Sequence, residues 1–314
     1  MTAHIRKIKN LDEILETTPQ AFADLGIDHY SPTQLNCSLA NWAYKYAVLS
    51  SAERGKLKSN IKMYLGTTIG DLCQLCFCDE LYAYNTGEFT LNKKKTSKQE
   101  GYDMLGMAME KYEPWDDKDK ELYEGIKDCA ADMYKNAYEG WKSLSMTAPV
   151  VAENTVKIKL DYVYCEGRTD GEDKLKFLEQ KMKCPSLNRP KKDGTRTKKT
   201  NPLPTDEPQL SHARQTAFYH FATGKRPFIL YANEKEYKIF DSSNCQSLTK
   251  EGMEEHLQHY KRMAKMRDRL IMKSKGSVSD LLRDLDPDWE HNYEWDIGED
   301  AAEHAKQVYR EAQQ

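Results

Sequence analysis

The stretches Glu166-Gly167-Arg168-Thr169-Asp170 and Glu179-Gln180-Lys181 decide how the middle of this sequence folds and what chemistry it can carry. Alternate residues of a β-strand point to the same face, so Glu179 and Lys181 share a side and a neighbouring strand can place Asp170 beside them. Two carboxylates brought this close repel each other unless a cation joins them, and oxygen ligands select Mg²⁺ or Mn²⁺. The lysine can orient or deprotonate a water on the metal, or stabilise charge that builds on a scissile phosphate. The pattern is therefore a minimal set of residues for metal-assisted hydrolysis of a phosphodiester.

Periodicities on both sides of these stretches predict an α/β fold, or α+β by a stricter definition. Apolar and polar residues alternate from Val156 to Tyr164, which predicts a strand, and Gly167 and Gly171 predict the turn into a paired strand at 175–179. The remaining predicted elements are a helix over 209–223, strands over 227–232 and 236–240, and a helix over 249–274. We expect a central mixed sheet of about four or five strands flanked by helices.

The first part of the chain, up to Pro149, is predicted to be mostly helical. Ser31 can cap a helix that has Pro32 in its first turn, and apolar residues recur at helical spacing from Leu35 to Tyr46. Further helices are predicted over 64–81, 98–112 and 116–144. The Pro-, Lys-, Gly- and Thr-rich segment 185–206 lacks periodicity and is predicted to be a loop.

Charge is balanced overall but unevenly distributed. The net charge is −3, with 47 Lys and Arg against 50 Asp and Glu, which is not the profile of a basic nucleic-acid binder. Locally, residues 189–199 carry six Lys or Arg and one acid, whereas residues 284–304 carry nine acids and neither Lys nor Arg. With no long apolar span, no secretory segment and eight scattered cysteines, we expect reduced thiols and a cytoplasmic location.

A third motif follows the basic segment and completes an ordered set. Gln215 and Tyr219 are four residues apart on one face of the predicted 209–223 helix. Together with Gly167–Asp170 and Glu179–Lys181, in this order, they resemble the PD-(D/E)XK nuclease superfamily, in its branch of RecB-type and phage exonucleases. The resemblance covers roughly residues 30–245 and includes the Ser-capped aromatic helix that begins near Tyr30.

The resemblance implies a sheet of the restriction-endonuclease type and a role for each motif. Asp170 and Glu179 would be metal ligands, joined by the backbone carbonyl of Gln180. Lys181 would be the catalytic lysine, together with Asp170 and Glu179, and Gln215 with Tyr219 would organise DNA or the site. The metal would be Mg²⁺, for which Mn²⁺ can substitute.

Additional cations near these motifs are candidates for DNA binding. Lys183 follows Lys181 on the same face of the strand, where it supplies a second positive group or extends to solvent. Arg168 contacts DNA or balances the acids, and His212 contacts a phosphate or is structural. The basic segment adds Lys191 and Lys192, in a loop that either contacts DNA or is a solvated insertion.

Two departures from the family pattern concern its metal groups. Many relatives carry a metal-binding His at the position where this sequence has Gly70, so the metal has one fewer protein ligand or Asp71 substitutes. Some relatives hold an iron–sulfur cluster, but no cysteine follows Cys245, so we expect no cluster. The cysteines at 73, 76 and 78 lie in a predicted helix with no second Cys/His pair nearby, so we expect no structural zinc.

The sequence thus predicts a Mg²⁺-dependent deoxyribonuclease, more in the manner of an exonuclease than an endonuclease, in phage-type DNA recombination or genome processing. Its segments would be a helical region at 1–149 packed on the core, a nuclease core at 150–275 and an acidic helical tail at 276–314. DNA is the expected partner, with a single-strand annealing or replication protein as a second one and no membrane. The alternative is a non-catalytic nucleic-acid-binding or assembly subunit on a nuclease scaffold.

Overall fold

The computed structural model is a mixed α/β structure and describes residues 19–57, 60–83, 87–192, 195–290, 294–295 and 297–314. The chain divides into two compact units. One unit comprises the described residues of Lys58–Val156 and Gly167–His259, and the other those of Met1–Leu57, Lys157–Glu166 and Tyr260–Gln314. Both units are discontinuous in sequence, whereas the three predicted segments are consecutive.

A four-stranded mixed sheet organises the first of these units. Its strands are β6 (Gly171–Glu172), β7 (Lys176–Met182), β10 (Arg226–Ala232) and β11 (Tyr237–Phe240), in the order β11-β10-β7-β6. The central pair β7 and β10 is parallel, and the two outer pairs are antiparallel. The predicted mixed sheet is therefore present in this unit.

The two faces of this sheet are covered by different helices because successive strand residues point to opposite sides. On one face Leu178 and Leu230 join a core with helices from the first half of the chain. Those helices are α5 (Ile61–Phe77), α6 (Lys98–Glu110), α7 (Asp117–Ile126) and α8 (Ala130–Ser143). On the other face Phe177 meets the ring of Tyr219, which lies on α9 (Leu210–Thr223).

Small strand pairs complete this unit. β2 (Glu80–Ala83) pairs with β3 (Glu88–Leu91), and β8 (Ser186–Leu187) pairs with β9 (Lys198–Lys199), both antiparallel. The β8–β9 pair lies inside the segment that was predicted to be a loop, so that prediction is wrong for these residues. Main-chain bonds from Asn188 to Thr197 and from Lys191 to Thr195 extend the hairpin toward its tip.

The second unit combines short helices with β1 (His29–Tyr30) and with parts of β5 (Tyr164–Thr169) and β4 (Asn154–Lys159), strands that form a sheet in the order β1-β5-β4. Residues 154–156 and 167–169 of these strands belong to the first unit. Its helices are α1 (Gln20–Asp24), α2 (Pro32–Asn36), α3 (Leu39–Ala43), α4 (Ser51–Arg54), α11 (Val278–Arg283), α12 (Glu299–Ala312) and the later part of α10 (Lys250–Ser274). Ser31 caps α2 as predicted, accepting a hydrogen bond from the Gln34 N–H.

Three predicted elements are divided in the structure. The strand predicted from Val156 to Tyr164 is two strands, because the Leu160 N–H donates to the Val163 carbonyl and closes a turn between them. The predicted turn at Gly167 is wrong, since this residue lies inside β5. The 116–144 helix is interrupted by a 3₁₀ turn at Lys127–Cys129, and Ser38 starts a new helix within the predicted aromatic one.

Gly167 is required inside β5 by a close approach. A Cβ at this position would lie 2.7 Å from Cε1 of Tyr219 and 3.0 Å from Cε1 of Phe218, both on α9.

Within the described part of the chain, no helix has both the length and the apolar character needed to cross a membrane.

Two helical glycines should respond oppositely to Ala. A Cβ at Gly252 would collide with the main-chain carbonyl of Gln246 and lie 3.0 Å from that of Ser247, whereas a Cβ at Gly106 would meet nothing within 4 Å. We expect Gly252→Ala to lower the free energy of unfolding by roughly 1–3 kcal/mol. Gly106→Ala should raise it by about 0.5–1 kcal/mol through helix propensity. Urea denaturation of both variants checks this, and a Gly252→Ala variant as stable as wild type would contradict the packing.

Candidate functional site

The candidate site begins where the pairing of β6 with β7 stops, which leaves one edge of β7 open. β6 pairs only with Phe177 and Leu178, while β10 continues alongside β7 to its end. At the next position along that edge, the Gln180 N–H donates to Oδ2 of Asp170 over 2.5 Å. A carboxylate therefore takes the place of a strand carbonyl, which ties the end of the first motif to the second.

The predicted motif residues meet on the α9 face of the sheet. Lys181 Nζ lies 2.5 Å from Oε1 of Glu179, two residues earlier on the same strand face. The same Nζ donates to Oε1 of Gln215 at 3.2 Å, and Gln215 Nε2 donates to the Tyr219 hydroxyl at 2.9 Å. The structure thus joins Glu179, Lys181, Gln215 and Tyr219 in one polar chain.

A cavity of about 730 Å³ opens beside this chain. Three acids line it, which we call the acidic group: Asp71, Glu153 and Asp170. Basic side chains also line it: Lys62, and three that we call the basic group, namely Lys181, Lys183 and His212. A polar concave site with charges of both signs can accept a ligand that is itself anionic but binds through a cation.

Gln74 is a site residue that sequence reasoning missed. Its Nε2 donates to Oε1 of Glu153 at 2.9 Å and to the carbonyl oxygen of Asp170 at 3.1 Å. Glu153 has a left-handed backbone, with φ of 54°, an uncommon conformation for a residue other than glycine. The available signal was the spacing of Gly66, Gly70 and Gln74, each four residues apart on α5 and all lining the cavity.

Trp141 supports the same strand from the opposite face of the sheet. Its indole Nε1–H donates to Oε1 of Gln180 at 2.5 Å. Its ring covers Gly171, where a Cβ would lie 2.8 Å from Cζ3. The residues that follow Asp170 and Glu179 are therefore both held by one tryptophan, which is itself buried.

Burial sets the protonation behaviour of the acids and the lysine. Burial raises the pKa of Asp170 well above its usual value, and the charges of Glu179 and Glu153 add to the rise. Burial also raises the pKa of Glu179, although Lys181 opposes the rise. For Lys181 burial lowers the pKa, but Glu179 and Asp170 outweigh it and the net shift is upward. Burial and Glu153 raise the pKa of Asp71 to about 6.

His212 is held in a distinct state. Its Nδ1 lies 2.7 Å from the hydroxyl of Tyr231, which also accepts the Gln209 N–H at 3.0 Å. Burial, with the charges of Lys181 and Lys183, lowers the pKa of His212 to about 3. The imidazole is therefore neutral at physiological pH.

The structure does not bring every predicted DNA-binding residue to the cavity. The Arg168 guanidinium stacks 4.5 Å from the centre of the Tyr82 ring and does not line the cavity. Lys191 and Lys192 are exposed near the tip of the β8–β9 hairpin, whose base contributes Cys184 and Asn201 to the cavity lining.

Two other cations of the hairpin are engaged within the same unit. Arg196 Nε lies 3.2 Å from Oε1 of Glu121, and Lys198 Nζ donates to Cys129 Sγ at 2.8 Å. The basic segment therefore does not act as a uniform set of cations, and Lys191 and Lys192 at its tip are exposed to a ligand.

Glu179 and Asp170 supply carboxylate oxygens, the kind of ligand that the expected Mg²⁺ requires. Among the described residues, no group of three or more His, Cys, Asp and Glu side chains is arranged to hold a metal ion. However, Oε2 of Glu179 is buried without a hydrogen-bond partner, and the partly exposed carboxylate of Asp170 lies near it at the cavity. Lys181 pairs with Oε1 of Glu179 and the Gln180 N–H with Oδ2 of Asp170, so Oε2 of Glu179 is the oxygen left without a partner. Such an oxygen next to a second carboxylate fits Mg²⁺ with water or substrate oxygens in its remaining positions.

Comparisons with known proteins add no relative. No family model, no curated protein and no solved structure matches the chain.

Removing the cation of the buried pair should destabilise the fold in a pH-dependent way. We expect Lys181→Met to lower the free energy of unfolding by roughly 2–4 kcal/mol at pH 8 in EDTA, because the Glu179 carboxylate remains buried without its partner. Burial raises the pKa of Glu179, so the folded variant binds a proton at higher pH than the unfolded chain. Stability relative to pH 8 therefore recovers as the pH falls toward 5.

The matched control is Lys174→Met, which removes an exposed lysine just before β7. This control should change the free energy of unfolding by less than about 0.5 kcal/mol at either pH. Urea titrations at pH 8 and pH 5 measure both variants. A deficit of Lys181→Met that is equal at the two pH values would contradict the assigned charge pair.

Proposed function

We propose that this chain is a metal-dependent DNA nuclease of the PD-(D/E)XK type, with an exonuclease-like activity. The observation that carries the proposal is that the three motifs meet: Asp170, Gln180 and Lys181 line one cavity, and Lys181 links them to Gln215 and Tyr219. Asp170 is tied to Gln180, and Glu179 is tied through Lys181 to Gln215 and Tyr219. The mixed sheet with a helix on each face is compatible with the restriction-endonuclease type that the motifs imply.

Asp170 and Glu179 are the residues that would hold the metal, and the Gln180 carbonyl is a further proposed ligand. A bound Mg²⁺ would supply Lewis-acid charge and lower the pKa of water. Lys181 would direct its ammonium at the scissile phosphate and stabilise the charge that develops there. The Gln215 amide, through its 3.2 Å contact, would limit the rotamers of that lysine.

Substrate binding would use the cations of the cavity and of the hairpin. Lys183 and His212 line the cavity beside Lys181, and Lys191 with Lys192 would contact more distant phosphates. Arg168 does not line the cavity, so a contact between its guanidinium and DNA would lie outside the cavity. The preference for exonuclease over endonuclease activity, the phage-type recombination setting and an annealing or replication protein as partner follow the family resemblance alone. The proposed cytoplasmic location rests on the composition of the sequence.

One observation favours the alternative of a non-catalytic DNA-binding or assembly subunit. The described residues contain no group of three or more metal-ligating side chains. The two proposals differ in their response to a cation: a nuclease cleaves DNA with Mg²⁺ or Mn²⁺ and stops with EDTA, whereas a binding subunit retains DNA under all three conditions. Comparing end-labelled linear DNA with closed circular DNA in the same digest separates exonuclease from endonuclease activity.

The catalytic assignment predicts the outcome of two substitutions. Glu179→Gln or Lys181→Ala should reduce the cleavage rate roughly 10²-fold or more, because each removes a charge placed at the metal or the reacting phosphate. DNA binding in EDTA should remain close to wild type. The exposed Lys174→Ala variant is the charge-matched control for Lys181→Ala and should cleave at the wild-type rate. Mg²⁺-dependent cleavage by either site variant at near wild-type rates would overturn the assignment.

The hairpin assignment predicts a change in salt dependence. Replacing both Lys191 and Lys192 with Gln should weaken DNA binding and reduce the slope of log affinity against log salt by roughly 0.7–0.9 per lost contact. The matched control replaces Lys118 and Lys120, exposed on α7, and removes the same charge. Fluorescence anisotropy from low to moderate salt measures the slope. Equal slopes for the two double variants would mean that the hairpin is only a connector.

A further inference from the structure

Tyr231 lies beneath the basic group and contacts two of its members. It is fully buried in β10, and its Cα is the register partner of Lys181 on β7. Its hydroxyl reaches His212 Nδ1 at 2.7 Å, and the ammonium of Lys183 lies 5.6 Å from the centre of its ring. One aromatic side chain therefore supports both His212, from α9, and Lys183, from the strand end.

The hydrogen bonds of Tyr231 favour one position for the proton of His212. The main-chain N–H of Gln209 donates to the buried hydroxyl oxygen, so of the two partners of this hydroxyl it is His212 Nδ1 that can accept the hydroxyl hydrogen. Nδ1 of His212 is then an acceptor, and a neutral imidazole must carry its hydrogen on Nε2. Since His212 lines the cavity, the Nε2–H is the donor that it can offer to a ligand there.

We propose that Tyr231, His212 and Lys183 form a binding site for a phosphate oxygen, in which His212 donates from a fixed neutral Nε2–H and Lys183 supplies the charge. Tyr231 is a positioning residue, since it does not line the cavity. The inference rests on the proposed function, because the ligand is a non-bridging oxygen of the DNA backbone. It assigns His212 a single tautomer and an uncharged role.

A neutral donor suits this position because two lysines of the cavity already act on His212. The groups that face His212 are Lys181 from β7, Lys183 just after the end of β7, and Tyr231 from β10. A third positive charge among them would be repelled, whereas a neutral N–H donates to a phosphate without that cost. Burial and the two lysines lower the pKa of His212 to about 3, so its donation does not depend on pH between 5 and 9.

The first test is the tautomer, measured by long-range ¹⁵N–¹H correlation on the ¹⁵N-labelled full chain without metal. His212 should show the Nε2–H tautomer from pH 6 to 8. His220 is the internal reference on the same helix, because its Nδ1 donates to the Lys225 carbonyl at 2.8 Å and gives the opposite pattern when neutral. An imidazolium or an Nδ1–H tautomer at His212 would overturn the inference. In the same samples, added inorganic phosphate should shift the Nε2–H signal of His212 and leave His220 unchanged.

The second test separates the donor from the fold by kinetics. His212→Ala should lower kcat/KM for DNA cleavage by roughly tenfold to hundredfold, as expected for a lost hydrogen bond to a charged oxygen. His212→Gln, which can place an N–H near the position of Nε2, should recover most of this loss. His220→Ala is the matched control and should behave as wild type after correction for stability.

Two Tyr231 variants divide its roles. Tyr231→Phe keeps the ring under Lys183 but removes the hydroxyl, so it should release the tautomer of His212 in the ¹⁵N spectrum and lower kcat/KM. Tyr231→Leu should lose both contacts and bind DNA more weakly than Tyr231→Phe. Equal kcat/KM values for His212→Ala and His220→Ala would overturn the inference but not the proposed nuclease activity. Absence of cleavage by wild type would overturn the proposed function, and the phosphate titration would then decide the oxygen site by itself.

Discussion

The hydrogen bond from the Gln180 N–H to the Asp170 carboxylate is the constraint on which the candidate site depends. A sheet normally satisfies such an N–H with a carbonyl of the neighbouring strand, but the pairing of β7 with β6 stops at Leu178, two residues before Gln180. The carboxylate fills that need and is thereby fixed beside Glu179. The same early end of β6 leaves the edge of β7 uncovered, and the cavity opens there. Strand pairing, acid position and access thus have one cause.

Glu179 is buried and Asp170 is partly buried, so their negative charges need positive partners close by. Lys181 neutralises one negative charge, while burial raises the pKa of both Asp170 and Glu179 and the charge of Glu153 adds to each rise. A fold gains no stability from this arrangement, since apolar residues of similar size would pack without the cost of desolvation. Its retention of an unpartnered Glu179 oxygen is more readily explained by a ligand that arrives with positive charge.

The sequence was informative where local periodicity controls the structure. Alternation along β7 correctly placed Glu179 and Lys181 on one face, and helical spacing correctly placed Gln215 beside Tyr219. It failed at Leu160–Val163, where polar alternation looks continuous although the chain turns. Gln74 and Trp141 could not be found in this way, because each reaches the site from a helix far away in sequence and its role depends on tertiary contacts. The site is therefore predictable along each element but not between elements.

The two faces of β7 have different roles in the candidate site: one presents the charged side chains and the other anchors the strand. Odd-numbered residues point toward α9, where Glu179, Lys181 and Lys183 meet Gln215, His212 and Tyr231. Gln180 points the other way and is held by Trp141, so the backbone between the charged side chains is anchored from behind. A charged strand edge without such an anchor would gain freedom each time a ligand left. Because the anchor is buried in the apolar core of the unit, the geometry of the charges is set by packing energy rather than by the charges themselves.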